Sequence, residues 1–478
     1  MAKVPNAIAA TGSYYRGKTH TNRHKVSFTP RTICAGVEGA GMSRWPFVVP
    51  SRAVLLAAME DKQRYTAVHY FPPYPKSLDN DAPAANYYIT DLINPAGLSG
   101  TYSARGGLLR EHPSLEAPIL DATSPSLDDY EETQMMEEMR QVEDTGLFLV
   151  FIDVLGAPET AKAIRCADII NRSFPNLYSC GMMDMSSGVV PADPATLASY
   201  AANFITQDSR WTDPVTSKTV ISCFETSGPN FTGTEWGDFF DIMLGTYGID
   251  VELLYIGQIL GTPSLFQTVL ADLEAHTAGY SDKIRYVGPW VACYTNYHDA
   301  QNNYKLQVEG STYGNSREYI YAACPQVQRP KDPWYQASNG LNEYIDQLEA
   351  ATSGDPDTWP AILHFGTWND YSETTHICEG SQVGKLRQII AKYYAIKFLL
   401  DEAPQINEFS FIYAYKEMLT TSTEVGGGAT QTTPFAENAG NFALEDVIQM
   451  LAFLPEPATL EIDLNGTTYT QESAGSGS

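Results

Sequence analysis

Apolar runs of strand length alternate with amphipathic stretches of helix length through most of this chain. Near-continuous apolar runs occupy residues 67–71, 147–155, 178–185, 219–224, 251–256, 284–290, 319–324 and 362–368. Between them, apolar positions recur every three or four residues over 129–144, 160–172, 195–205, 235–244, 264–276 and 341–351, and again over 384–400. A run with no polar face reads as a strand covered on both sides, and the helices between such runs are the crossovers that parallel pairing needs. Eight such runs within 478 residues predict an α/β fold, a (β/α)8 TIM barrel.

Beyond residue 404 the period shortens to two, over 408–415 and 458–464, with turn signals at Gly426-Gly427-Gly428 and Asn465-Gly466. Between these segments Leu444, Val447, Ile448 and Leu451 keep helical spacing and predict a short helix. The expected organisation is a basic N-terminal arm over 1–64, the barrel over 65–404, a small antiparallel β domain over 405–472 and a flexible tail over 473–478.

Charge sharpens the division between arm and body. The chain carries a net charge of -27, yet residues 1–64 hold ten Lys and Arg against three acidic residues, about +7, which leaves about -34 on the rest. That split predicts an arm that docks onto other proteins of a larger assembly, and an acidic body that disfavours nucleic acid and other polyanions as ligands. The seven cysteines are odd in number, irregularly spaced and mostly inside apolar runs, so free buried thiols are expected in place of disulfides. There is no CxxC pair and no HExxH sequence, and the Gly36–Gly41 stretch lacks the spacing of a phosphate loop, so neither metal nor cofactor is expected. Residues 1–10 lack the features of a signal peptide and no apolar stretch is long enough to cross a bilayer, which predicts a soluble protein made in the cytoplasm.

Barrel enzymes place reacting groups at the C-terminal ends of their strands. Here those ends carry His69-Tyr70-Phe71, Asp153, Asp184, Glu225, Tyr255, Trp290 and Trp368-Asn369-Asp370. The last run opens into Asn369-Asp370-Tyr371-Ser372-Glu373, two carboxylates three apart among aromatic rings. Glycoside hydrolysis needs one group to protonate the leaving oxygen and one to activate water, with flat rings against the pyranose faces. A plainer reading stands beside it: Asp370 caps a helix with Glu373 as its N3 partner, Asp153 and Asp184 cap loops, and His69 is a satisfied core histidine.

The stretch Thr367-Trp368-Asn369-Asp370-Tyr371-Ser372-Glu373, followed by His376-Ile377, resembles the Trp-Asn-Asp-Tyr-Gly-Glu-Ser-His-Tyr-Ile signature of the endo-α-1,3-glucanases, or mutanases, of glycoside hydrolase family 71. The resemblance implies an inverting (β/α)8 hydrolase with Asp370 and Glu373 as its catalytic pair, taken here with Glu373 as acid and Asp370 as base. It also implies that His69, Asp153, Asp184 and Trp368 orient hydroxyls and stack against the sugar; Tyr70, Glu225, Tyr255, Trp290, Asn369, Tyr371 and His376, at the strand ends and in the motif, are the further residues expected to bind the polysaccharide. Inversion sets the two carboxyl groups roughly 6.5 to 9.5 Å apart, which predicts an irregular loop rather than a regular helical turn. Ser372 replaces the signature's glycine, and Thr374-Thr375 adds one residue before His376. Without a secretion signal, such a hydrolase works inside the cell, leaves by lysis or travels in a larger particle such as a bacteriophage tail. Three functions therefore stay open: an active hydrolase of α-glucan or related cell-surface polysaccharide, a receptor-binding tail protein on the same barrel, and a structural virion protein.

Overall fold

In a computed structural model the described residues are 45–72, parts of 92–109, 127–156, 160–187, 193–225, 231–257, 283–290, 318–329, 342–380, 383–407 and 448–455, with short strands and single residues elsewhere between 7 and 472. Eight parallel strands close a barrel in sequence order: β1 Tyr65–Tyr70, β2 Leu149–Val154, β3 Tyr178–Asp184, β4 Thr219–Glu225, β5 Val251–Gly257, β6 Ile284–Pro289, β7 Glu318–Ala323 and β8 Ile362–Phe365. The predicted (β/α)8 barrel is present, with β8 returning to pair with β1. Seven helices among the described residues are α1 Arg52–Lys62, α2 Leu127–Thr145, α3 Thr160–Ser173, α4 Pro194–Ile205, α5 Gly233–Tyr247, α6 Asn342–Ala351 and α7 Leu386–Leu400. The expected helix over 264–276 lies outside the described residues.

Local chemistry explains where several helices start. The α5 helix opens on a capping box in which Thr232 accepts from the Glu235 N–H while the Glu235 carboxylate accepts from the Thr232 N–H. Asp193 caps α4, with Pro194 at the first helical position. Ser51 caps α1, a helix inside the segment read as an arm.

Strand register decides which side chains face the barrel interior. Pairing runs Ala67 to Leu149, Phe151 to Cys180, Asp184 to Phe224, Ile256 to Gly288 and His364 to Ala67, so these positions share the inward side. At the lower end Tyr65 and Tyr286 pack on Trp211, with ring centroids 5.1 and 4.9 Å apart. Higher up Phe151 meets His364 edge-on at 5.1 Å. A Cβ on the inward Gly288 would stand 2.6 Å from Ile320 Cβ and 2.7 Å from its carbonyl oxygen, so only glycine lets β6 and β7 approach here. The lower end is locked by the buried Asp213, whose carboxylate accepts from Tyr286 Oη at 2.7 Å, Arg285 Nε at 3.2 Å and the N–H groups of Val215 and Thr216 at 2.7 and 3.0 Å.

The α7 helix is buried along nearly its whole length, lying against α1, α2 and β1 and covered by Phe47 and Phe453 around Tyr393. Its polar residues are placed accordingly: Gln388 donates to Thr145 Oγ1, Lys392 to the Asp144 carbonyl, and Lys397 meets Glu349.

Most strands described beyond 404 pair antiparallel, Ala436–Glu437 pairing parallel with Trp334–Gln336, and the N-terminal segment joins them. Ala7–Thr11 pairs with Ile448–Phe453, which pairs with Ser410–Tyr415. Tyr15–Lys18 lies between Arg23–Val26 and Thr459–Leu464, and Thr459–Leu464 also pairs antiparallel with Thr467–Glu472; the predicted turn residues Asn465-Gly466 lie outside the described residues. The short helix expected near Leu444–Leu451 is corrected: Ile448–Phe453 is a strand, since two neighbouring strands offer its backbone a complete ladder that outweighs local spacing. Cys166, Cys180, Cys223, Cys324 and Cys378 are free and buried, while Cys34 and Cys293 lie outside the described residues. No helix among the described residues is long and apolar enough to cross a membrane.

Candidate active site

Four polar side chains converge at the C-terminal mouth of the barrel. His69 on β1, Asp153 on β2 and Asp184 on β3 all fall on the inward register, and Asp370 arrives on the loop after β8. His69 Nε2 lies 3.7 Å from Asp153 Oδ2, too long for a hydrogen bond, and Nδ1 has no partner. Trp290, one residue past β6, stands edge-on to His69 at 4.9 Å and also contacts Phe224 at 4.3 Å. Phe71, Asp184, Phe224, Trp290, Ser372 and Glu373 are half-buried here, where most surrounding residues are fully buried.

The electrostatics of this group are those of a crowded acidic site. Burial pushes the Asp184 carboxyl up to about 7, helped by the charge of Asp153 and opposed by the N–H of Ser186, by His69 and by the N–H of Ser187. Burial also raises Asp153 well above the carboxylate range, with Asp370 adding to the effect and the Val154 N–H opposing it. Burial lowers His69 to about 4, against the pull of Asp370 and Asp184, so its imidazole is neutral at pH 7. The mouth thus holds a neutral imidazole, a carboxyl close to half protonated at pH 7, and acceptors on the loop.

That loop is tightly folded. Thr367 N–H donates to Thr375 O, Ile377 N–H returns to Thr367 O, and the Thr367 and Thr375 hydroxyls meet at 2.8 Å. Trp368 N–H donates to His69 O at 2.6 Å, and Asn369 Oδ1 accepts from Phe71 N–H at 2.8 Å, which ties the loop to the end of β1. Asp370 Oδ1 accepts from Ser372 Oγ at 2.7 Å and Glu373 N–H at 3.0 Å. The pair therefore sits on an isolated turn, and Asp370 caps that turn while its charge reaches His69 and Asp153.

The other sequence-predicted residues sort into two groups. Tyr70, Glu225 and Tyr255 fall on the outward register and do not enter the mouth: Tyr70 Oη donates to Glu138 on α2 at 2.5 Å, and Tyr255 Oη donates to Glu225 at 2.6 Å. Trp368, Asn369, Tyr371 and His376 are buried within the loop. Tyr371 stacks on His376 at 4.5 Å, with its hydroxyl 3.0 Å from Cys378 Sγ. Of these seven residues expected to bind sugar, three face away from the mouth and four are buried within its loop. His364 was missed: it is fully buried, faces inward 5.9 Å from Trp290, and has no hydrogen-bond partner on either ring nitrogen. The only signal for it was a histidine inside an apolar strand. Among the described residues no group of three or more His, Cys, Asp or Glu is arranged to hold a metal ion.

In overall shape the chain is similar to a GH99 endo-alpha-mannosidase from Bacteroides thetaiotaomicron solved with bis-tris propane, with a TM-score of 0.50 at 12% identity over 70% of this chain and 98% of that one. A second structure of the GH99 endo-alpha-mannosidase from that organism gives 0.48 at 12% identity over 71% and 99%. A GH2 beta-galacturonidase from Eisenbergiella tayi, bound to galacturonate, gives 0.35 at 10% identity over 58% and 48%. No family model matches the chain, and no curated protein matches it in sequence. The first likeness shows a shared (β/α)8 fold. The family 71 resemblance stands on the sequence motif at 367–377.

Proposed function

We propose that this protein is a glycoside hydrolase acting on an α-linked polysaccharide. The observation that carries the reading is the convergence of Asp370 with His69, Asp153 and Asp184 beside Trp290 at the barrel mouth. The loop's resemblance to mutanases and the likeness in fold to a GH99 endo-alpha-mannosidase both point to α-linked substrates cut internally. Glu373, half-buried on the turn, donates its proton to the glycosidic oxygen as the bond to the anomeric carbon breaks. Asp370 takes a proton from the water that attacks that carbon. His69, Asp153 and Asp184 hold sugar hydroxyls, and Trp290 offers its face to the ring. The test is reducing-end release from α-1,3-glucan, other α-glucans and α-mannans by wild type and Glu373→Gln. Release that Glu373→Gln abolishes supports the reading, and no release from any polymer overturns it.

The pH profile supplies a second check. Because the Asp184 pKa is raised to about 7, this carboxyl is protonated below that pH and donates to a sugar hydroxyl; above it, it adds a negative charge beside Asp153. The expected kcat/KM therefore falls as pH rises through about 7, and Asp184→Asn flattens that limb. An unchanged limb in the variant would assign it to another group.

A second reading, carbohydrate recognition without turnover, is favoured by one feature: Asp370 Oδ1 is occupied by two donors of its own turn, as in a purely structural cap. Retained polymer binding without release would select it. In either reading the net positive charge of residues 1–64 suits an acidic protein partner.

A further inference from the structure

Arg387 occupies the second position of α7, where a cation opposes the helix dipole, and no acidic residue stands in that first turn to offset it. It is almost completely buried. Its guanidinium reaches backward onto the loop that carries Asp370 and Glu373: Nη1 donates to His376 O at 2.7 Å and Thr374 O at 3.0 Å, and lies 3.5 Å from His376 Nε2. Nη2 donates to Gln326 Oε1 at 3.0 Å, beyond the end of β7. One planar fork therefore joins the start of α7, the loop after β8 and the loop after β7.

A second observation shows why the loop needs this clamp. Thr374 has φ of 61°, a left-handed conformation that a β-branched residue rarely adopts. Such backbone persists only where the surroundings over-determine it, and the Thr374 carbonyl is one of the two that Arg387 holds. The carboxylate turn closes immediately before this residue, since Thr374 N–H donates to Tyr371 O and Glu373 N–H to Asp370 Oδ1.

We infer that Arg387 is a positioning residue, clamping the strained 374–376 backbone so that Asp370 and Glu373 keep their orientation at the mouth. The inference rests on the hydrolase reading for its kinetic consequence and on geometry alone for its structural one, and the two are tested separately. Hydrogen exchange of Arg387→Gln and Arg387→Lys reads the structural arm without any substrate. Amides of 373, 374 and 377 should exchange at least about tenfold faster in Arg387→Gln, the loss of two charge-assisted hydrogen bonds. Amides of β1 and β2 should keep their wild-type protection, and Arg387→Lys should fall between. Unchanged exchange at 373–377 overturns the clamp, as does a loss spread evenly over the barrel. On a polymer that wild type cleaves, kcat should fall about 10²-fold with KM little changed, and guanidinium added to Arg387→Ala should restore part of it. A wild-type kcat in Arg387→Gln overturns the positioning role. If wild type cleaves nothing, the hydrolase reading fails and the exchange result alone decides the clamp.

Discussion

Asp370→Asn is expected to lower kcat by about 10³-fold or more while leaving the fold and polymer binding intact. General-base help is worth about 10²–10⁴-fold, and an amide cannot take the water's proton. The substitution is unusually clean, because an Asn side-chain oxygen still accepts from Ser372 Oγ and Glu373 N–H, so the turn keeps its cap. It also removes a charge that raises both Asp153 and His69, so both groups should titrate lower than in wild type. Steady-state kinetics beside affinity electrophoresis on the same polymer would read both effects. Activity within tenfold of wild type would leave Asp370 with the capping role only.

At the opposite end of the barrel, Asp213→Asn should destabilise the fold by about 3 kcal/mol at pH 7, the scale for breaking a buried charged pair. Asp213 is fully buried. An Asn oxygen could satisfy the Val215 and Thr216 N–H groups, but its amide would then present donors to Tyr286 Oη and Arg285 Nε, both of which donate in the native arrangement. Arg285 would keep its ion pair with Glu318, 3.0 Å away and far more exposed than Asp213. Burial raises the Asp213 pKa, but the Tyr286 hydroxyl, the Thr216 and Val215 N–H groups and Arg285 outweigh it, and the net shift is downward. A depressed folded-state pKa contributes stability above the unfolded value, about 3.9, and loses it as pH falls through the folded value. The gap between wild type and variant in urea denaturation should therefore be full at pH 7 and close progressively below about pH 4. A gap independent of pH would mean that packing, not charge, sets the cost.

Much of the mouth could be read in the chain before any fold was known. Eight apolar runs with helices between them specify a parallel barrel, because only strands covered on both faces read so uniformly. His69, Asp153, Asp184 and Trp290 sit at or near the C-terminal ends of those runs, where barrel chemistry gathers. The pair Asp370 and Glu373 was visible as an acidic step off an apolar strand. The chain offered the cap and the catalytic pair as alternatives for these residues, and the turn in which Asp370 accepts from Ser372 and Glu373 shows the cap.

What the chain alone left undetermined is the side of the sheet each residue faces and the partners that arrive from far along the sequence. Glu225 and Tyr255 end their strands as suitably as Asp184 ends β3, yet register turns them outward to bond each other, and Tyr70 turns outward to Glu138. A shift of one residue in pairing exchanges the two faces of a strand, and that register is set jointly by all eight strands around a closed barrel. Arg387 shows the same dependence: one of three cations in a largely apolar helix, it acquires its meaning only when the loops after β7 and β8 are brought beneath it. The strands at Ala7–Thr11 and Tyr15–Lys18 each pair with a strand more than 400 residues away. The sequence by itself determined the barrel and the strand ends that bear its chemistry. Tertiary structure decided which of those ends face the mouth, because facing is a property of pairing between distant segments and not of any one segment.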